Sequence, residues 1–282
     1  LWYSFLIQDF LGCYRYSMKW KDLFIEYKHL IPIHPVSYLK GSHYLLESLF
    51  YLNHTELFEA TLKQLEESLR NPKIPHNDNI SALSFLYVYS NKLNLRFMKG
   101  EFGNADELID KITDKISKFK SRLDEHHIMV FYYKIACLYF GDGNNKKCIE
   151  FLKKIINNKS LEMRQDLMCF ARILNLVAHY EAGLDYHLDR LVKSTYKFLI
   201  KMDDMHGVQK EMIKFIRNLP DVSPLEIKAE FKKLHAILKK FEDHPYERRA
   251  FLYLDIISWL ESNIENRPVK EIIMEKSKQS SR

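Results

Sequence analysis

The sequence predicts an all-α fold, a right-handed α-solenoid of about seven antiparallel helix pairs, and three observations carry the prediction. Apolar residues recur at three- and four-residue spacing along nearly the whole chain, the period of a helix with one buried face. Glycine and proline number only 8 each in 282 residues, too few for the frequent turns of a large β-protein. Three turn glycines, Gly100, Gly143 and Gly183, recur at intervals of 43 and 40, so the pattern of helix, short turn, helix is a repeat.

Each element follows from local chemistry. Residues 2–12 and 14–27 make the first pair, with Gly12 as the break and the Ile31-Pro32-Ile33-His34-Pro35 segment as the stop. Residues 36–52 and 56–70 form a second pair around Asn53-His54, with Ala60 at a small position. In the run 80–98, Leu83, Leu86, Tyr87, Ser90, Leu93, Asn94 and Phe97 line one face. Asn79 or Ser81 is placed to cap its start, and Gly100 ends it. The helices 104–119, 124–140, 146–156, 161–181 and 186–202 follow, then 206–219 and 224–241, split by Pro220, with Ser223 as cap and Pro224 as first helical residue. Residues 245–264 and 268–276 complete the array, and the polar 277–282 reads as a frayed tail. About seven pairs over 282 residues is about 40 per pair, the glycine interval again, so residues 1–276 read as one superhelix, clearest over 80–202.

Aligning the glycines aligns their neighbours. Five residues beyond each stand Ala105, Cys148 and Leu188; nine beyond, Ile109, Leu152 and Val192; twelve beyond, Ile112, Ile155 and Thr195; seven before, Leu93, Ala136 and Leu176. Small residues suit the places where two helix backbones approach closely, and larger apolar ones the places where they diverge.

The unit Tyr132-Tyr133-Lys134-Ile135-Ala136-Cys137-Leu138-Tyr139-Phe140, then Gly143, Cys148, Leu152 and Ile155, resembles the tetratricopeptide-repeat family. Phe97-Met98-Lys99-Gly100 with Ala105 is a second, looser match. The spacing of 40 to 43 exceeds the family's period of about 34, and the terminal proline is missing from the central units. The chain also resembles a class of bacterial helical-repeat proteins, a membership that implies no activity. In tetratricopeptide arrays the first helix of each pair lines a concave groove. The resemblance thus puts Tyr87, Asn94, Phe97, Tyr133, Phe140, Phe170 and Tyr180 near such a groove, where they either clamp an extended peptide or helix of a partner protein or pack on one another.

No catalytic chemistry declares itself. Gly141-Asp142-Gly143 has neither the preceding strand nor the following glycine of a phosphate loop. Ser37-x-x-Lys40 has no companion motif. Asp124-Glu125-His126-His127 points its side chains about 100 degrees apart on a helix, so a helix start favouring acids explains it better than a metal. The turn Asp203-Asp204-Met205-His206 reads the same way, and His179 as a hydrogen-bonded, partly buried histidine. No catalytic residue, cofactor or metal ligand is therefore expected.

Cys13, Cys137, Cys148 and Cys169 have no metal-clip spacing and read as buried reduced thiols of a cytoplasmic protein. The glycosylation triplets at Asn53, Asn79 and Asn158 carry no weight without an export signal. Residues 1–11 lack the basic leader and cleavage site of a signal peptide, and no stretch is long and apolar enough to insert in a membrane. A chain opening on Leu1 reads as a piece of something longer, its first helix packing on an upstream partner.

Basic residues recur on second helices: Lys111, Lys115, Lys118 and Arg122; Arg190, Lys193, Lys197 and Lys201; and Lys228, Lys232 and Lys239. They read as a solvated face, or as a contact for an acidic partner or a nucleic-acid backbone. A net charge of +6, interleaved acids and the lack of stacking rings make nucleic acid the alternative to a protein partner. Oligomeric state is left open.

Overall fold

The computed structural model describes residues 1–75, 77–158, 165–201, 207–223, 225–242, 244 and 255–280. Among the described residues it holds fourteen α-helices and no strand. The chain groups into two compact units, one of Leu1–Glu101, Asp106–His127 and Ser277–Arg282, the other of Phe102–Ala105 and Ile128–Lys276.

The first unit carries α1 (Trp2–Leu6), α2 (Phe10–Glu26), α3 (Pro35–Tyr51), α4 (Thr55–Ser68), α5 (Asp78–Lys99) and α6 (Asp106–Lys118). The break expected at Gly12 lies earlier. Gln8 turns the backbone at φ 58°, and Asp9 starts α2 by accepting a hydrogen bond from the Gly12 amide at 2.9 Å. Gly12 is needed because that carboxylate folds over it: a Cβ there would meet Asp9 Oδ2 at 2.2 Å. Trp2, Tyr3 and Leu6 of α1 are 70, 72 and 73% exposed. Pro35 opens α3 with its preset φ, and Asn77, rather than Asn79 or Ser81, caps α5 by accepting from the Ile80 amide at 2.9 Å. Helix α2 packs on α3, α3 on both α4 and α5, and α4 on α5, around Leu39, Leu45, Leu46, Leu49, Phe58, Leu65 and Leu93. Phe10 stacks on Tyr51 at 4.2 Å, and the Trp20 indole fills the space a side chain at Gly41 would take.

In the second unit lie most of α7 (Glu125–Gly141), then α8 (Asn145–Ile156), α9 (Gln165–Glu181), α10 (Asp185–Ile200), α11 (Gly207–Asn218), α12 (Ile227–Leu238), α13 (Ile256–Glu265) and most of α14 (Val269–Ser280). Helix α8 packs on α9, α9 on α10 and α11, α10 on α11, α11 on α12, and α12 on α13. Contacts thus run between chain neighbours and, for α3 with α5 and α9 with α11, between helices two apart in chain order.

The register found in the sequence is visible in the backbone. Gly100, Gly143 and Gly183 all sit in the left-handed region, at φ 67°, 78° and 64°. The same conformation is adopted after α3 by Asn53 and after α13 by Asn266, both at φ 56°. Asparagine tolerates this region better than other side chains, so it replaces glycine as the turn residue. Ala136, Cys148, Leu152 and Ile155 are each fully buried at 0% exposure, as small and aliphatic seam positions require.

Some boundaries differ from expectation. Helix α12 is shorter than the run 224–241, flanked by single 3-10 turns at Leu219–Asp221 and Lys239–Phe241. Helix α14 continues to Ser280, through residues whose polarity suggested a frayed tail, since nothing from Lys276 to Ser280 breaks a helix. The start of the helix expected over 245–264, residues 159–160 of the Asn158 triplet, and the Asp203–His206 turn fall outside the described residues.

Candidate functional site

Five of the seven expected groove residues are core. Tyr87, Asn94, Phe97, Tyr133 and Phe140 are 9, 3, 8, 3 and 4% exposed. Phe170 and Tyr180 are half-buried, the first 6.5 Å from the Tyr133 ring, the second 6.3 Å from Phe231. In the first unit α3 lies close against α5, and the Tyr87 ring packs in that seam. Tyr87 stacks on His43 with centroids 4.3 Å apart, and burial pushes its phenol from 10 up to about 12, helped by Tyr44 and Glu47. The fully buried Asn91 donates to the Tyr87 carbonyl at 2.7 Å and lies 3.3 Å from His43 Nδ1. Asn94 donates to Asn91 Oδ1 at 3.3 Å, while its own Oδ1 is buried without a partner. This polar ladder fixes the α3–α5 register from inside; it is not an open wall.

The second unit holds a cleft of about 330 Å³ where first helices of several pairs end. Phe140 and Trp259 form its apolar floor; Asp142, Glu181, Arg267 and Lys270 stand around it. The helix α9 C-terminus is a poor place for a carboxylate, because its own carbonyls are the negative end of the dipole. Glu181 is held there by the Trp259 indole N–H at 2.6 Å and by Asn263 Nδ2 at 3.1 Å, both on Oε1. Arg267 is committed to Glu275, to Glu265 at 3.1 Å and to Glu271 at 3.6 Å. Gly141 admits no side chain, since a Cβ would strike the Phe102 ring at 2.2 Å. Asn145 also lines the cleft, and its Oδ1 is buried with no hydrogen-bond partner.

Sequence reasoning found Phe140 and missed Trp259, Glu181, Asn145 and Arg267. A signal existed. Phe140, Glu181 and Ser262 are 41 and 81 positions apart, near one and two repeat lengths, and stand three, two and four residues before the left-handed Gly143, Gly183 and Asn266.

All four cysteines are buried and none forms a disulfide; burial raises the Cys13 thiol to about 11 and those of Cys137 and Cys148 well above the ordinary range, the opposite of nucleophile activation. Among the described residues no three His, Cys, Asp or Glu side chains converge as metal ligands would. Asp124 caps its helix by accepting from the His126 amide at 2.8 Å, and the buried His179 bonds through Nδ1 to the Asn175 carbonyl at 2.7 Å.

The three basic stripes are unlike one another. On α6, Lys111 pairs with Glu107 at 2.5 Å and Lys115 lies over the Tyr89 ring at 5.6 Å. Lys118 lies over Phe119 at 5.6 Å, and Arg122, just beyond the helix, is 3.8 Å from Asp78. Near α12, Lys239 pairs with Glu242 at 3.0 Å, and Lys228 and Lys232 are exposed. On α10, Arg190, Lys193, Lys197 and Lys201 are exposed, and no carboxylate among the described residues pairs with them.

Fold and surfaces together define an all-helical protein of packed neighbouring helices. No helix among the described residues is long and apolar enough to cross a membrane. No protein-family model, curated protein or solved structure matches the chain.

Proposed function

We propose that the protein is a non-enzymatic interaction scaffold that binds a peptide or helix of a partner protein, built as a tetratricopeptide-like solenoid of about seven helix pairs and working in the cytoplasm. Support comes from contacts that follow chain order, with first helices of successive pairs touching, α3 with α5 and α9 with α11. Stacked pairs bury a continuous core and leave long surfaces without needing a catalytic pocket. The left-handed residue that recurs after first helices supports the same reading. The observation that carries partner binding is the cleft of the second unit, lined by Phe140, Asn145, Glu181 and Trp259.

The buried rings of Tyr87, Phe97 and Tyr133 are not the docking surface in this proposal. Recognition falls to the cleft and to exposed helix faces. Selection from a random peptide library on the folded, immobilised chain tests it. Enriched peptides should bind the folded but not the urea-unfolded chain and weaken about five- to tenfold when Asn145→Leu removes the acceptor. Failure to enrich any folded-state binder would reject the scaffold reading. The unpaired cations of α10 favour a second reading, nucleic-acid binding, which predicts affinity for a single-stranded oligonucleotide that falls steeply with salt.

A further inference from the structure

The exposed face of α10 differs from the other basic surfaces. Its inner side is anchored by Leu188, Val192, Thr195 and Leu199, which are 2, 6, 3 and 0% exposed. The helix is therefore a fixed rod packed on α9 and α11. Its outer side carries Arg190, Lys193, Lys197 and Lys201 at spacings of 3, 4 and 4, a row about 16 Å long at 1.5 Å per residue. At 100° per residue these four fall within about 80° of arc. Ile200 projects within about 20° of Lys193 and Tyr196 within about 60°, both on the Lys193 side of the row, where Asp189 also falls. Both stay in water, 56% and 45% exposed, although Leu188, Val192 and Leu199 of the same helix are buried. A groove along the row is lined, among the described residues, by Asp189, Arg190, Lys193, Ser194 and Lys197.

We infer that this face docks an acidic amphipathic helix from a partner protein, its carboxylates meeting Arg190, Lys193, Lys197 and Lys201 and its apolar stripe covering Ile200 and Tyr196. The inference rests on the scaffold reading and places the partner on the structure. Charge complementarity argues for an acidic occupant, since the four cations outnumber Asp189, the one acid lining their groove among the described residues, and pair with no carboxylate among those residues. The length argues for a helix: three turns of a partner match a 16 Å row, and carboxylates three and four residues apart match its spacing. The apolar flank argues for a protein over a phosphate backbone. Bare phosphates gain nothing from Ile200, and Asp189, on the same face, repels a continuous polyanion. A membrane surface is a worse fit, for two exposed apolar side chains bury too little to anchor a helix in lipid.

The test uses the full chain and a fluorescent 14-residue peptide with glutamates at helical spacing opposite a leucine stripe. Its anisotropy is followed at two salt concentrations against the parent and a Lys193→Glu/Lys197→Glu variant. Both sites are exposed, so circular dichroism of the variant should match the parent. Saturable binding, lost about tenfold or more in the variant, is expected, because each reversal turns an attractive contact into a repulsive one. An equally acidic peptide with scrambled leucines should bind at least about fivefold more weakly, since the apolar contact is then misplaced. Equal binding of parent and variant overturns the site, as does equal binding of the two peptides. Tighter binding to a single-stranded oligonucleotide or to phosphatidylserine vesicles transfers the face to those ligands and equally overturns it. Library peptides that bind the folded chain yet ignore the charge reversal would sink this site and leave the scaffold standing. No binder of any kind would sink both.

Discussion

Tyr133→Ala separates a packing ring from a docking ring. Tyr133 is 3% exposed on α7, with Phe170 beside it and its hydroxyl within bonding reach of the Cys137 thiol. An aromatic side chain buries about 150–250 Å², which at about 25 cal/mol/Å² is roughly 4–6 kcal/mol as an upper bound. Alanine keeps part of that area but leaves a cavity, and measured aromatic truncations cost about 3–5 kcal/mol. Urea unfolding followed by circular dichroism should therefore show Tyr133→Ala less stable by about 3–5 kcal/mol with an unchanged m value. Tyr133→Phe, losing one weak bond to sulfur, should cost under about 1 kcal/mol. Phe170→Ala, at a half-buried ring, should fall well short of Tyr133→Ala. If Tyr133→Ala costs less than about 1 kcal/mol and keeps full helicity, the ring is at a surface and the packing account of α7 is refuted.

Further predictions follow from single contacts. Gly183→Ala should cost about 1–2 kcal/mol although nothing lies within 4 Å of the new methyl, because the cost is the left-handed backbone alone. Gly141→Ala should cost about 1–3 kcal/mol for the opposite reason, a collision with Phe102, and a Phe102→Ala background should remove most of that penalty. Tyr87 keeps its proton when folded up to about pH 12 but loses it near 10 when unfolded, so the folded state binds more protons in that window. Its contribution is complete below pH 10 and lost as pH rises towards 12, so the parent should lose about 2–3 kcal/mol more than Tyr87→Phe across that range in denaturant titrations. Lys21 runs the other way: burial lowers its pKa, so in its folded state it sheds its proton before the unfolded chain does. Lys21→Met should flatten the rise in stability that this produces just below its ordinary titration range.

What the sequence reveals and what it hides have physical causes. A left-handed turn needs glycine or asparagine whatever surrounds it, so Gly100, Gly143 and Gly183 disclose the repeat unaided. Gly12 misleads because glycine also serves inside a helix, here beneath the Asp9 cap. Periodicity places Tyr87, Asn94 and Tyr133 on one side of their helices. Whether that side meets a ligand or another helix depends on how closely α3 approaches α5 and how the second unit packs, which a single helix does not encode. The charge of a stripe is equally incomplete information. Lys111 and Arg190 look alike in sequence, but one has Glu107 a turn away on its own helix and the other has no such neighbour. The Glu181–Trp259 bond joins residues 78 positions apart, and only the repeat arithmetic hints at it.

Hydrogen exchange read by mass spectrometry, with and without a saturating library-selected peptide, tests partner binding at exposed surfaces most directly. Slower exchange at the cleft's rim or along α10, with the α3–α5 ladder unchanged, is the predicted result. Protection confined to the segments carrying Tyr87, Asn94 and Tyr133 would contradict it, for those rings would then be the ligand's floor and not the protein's own interior.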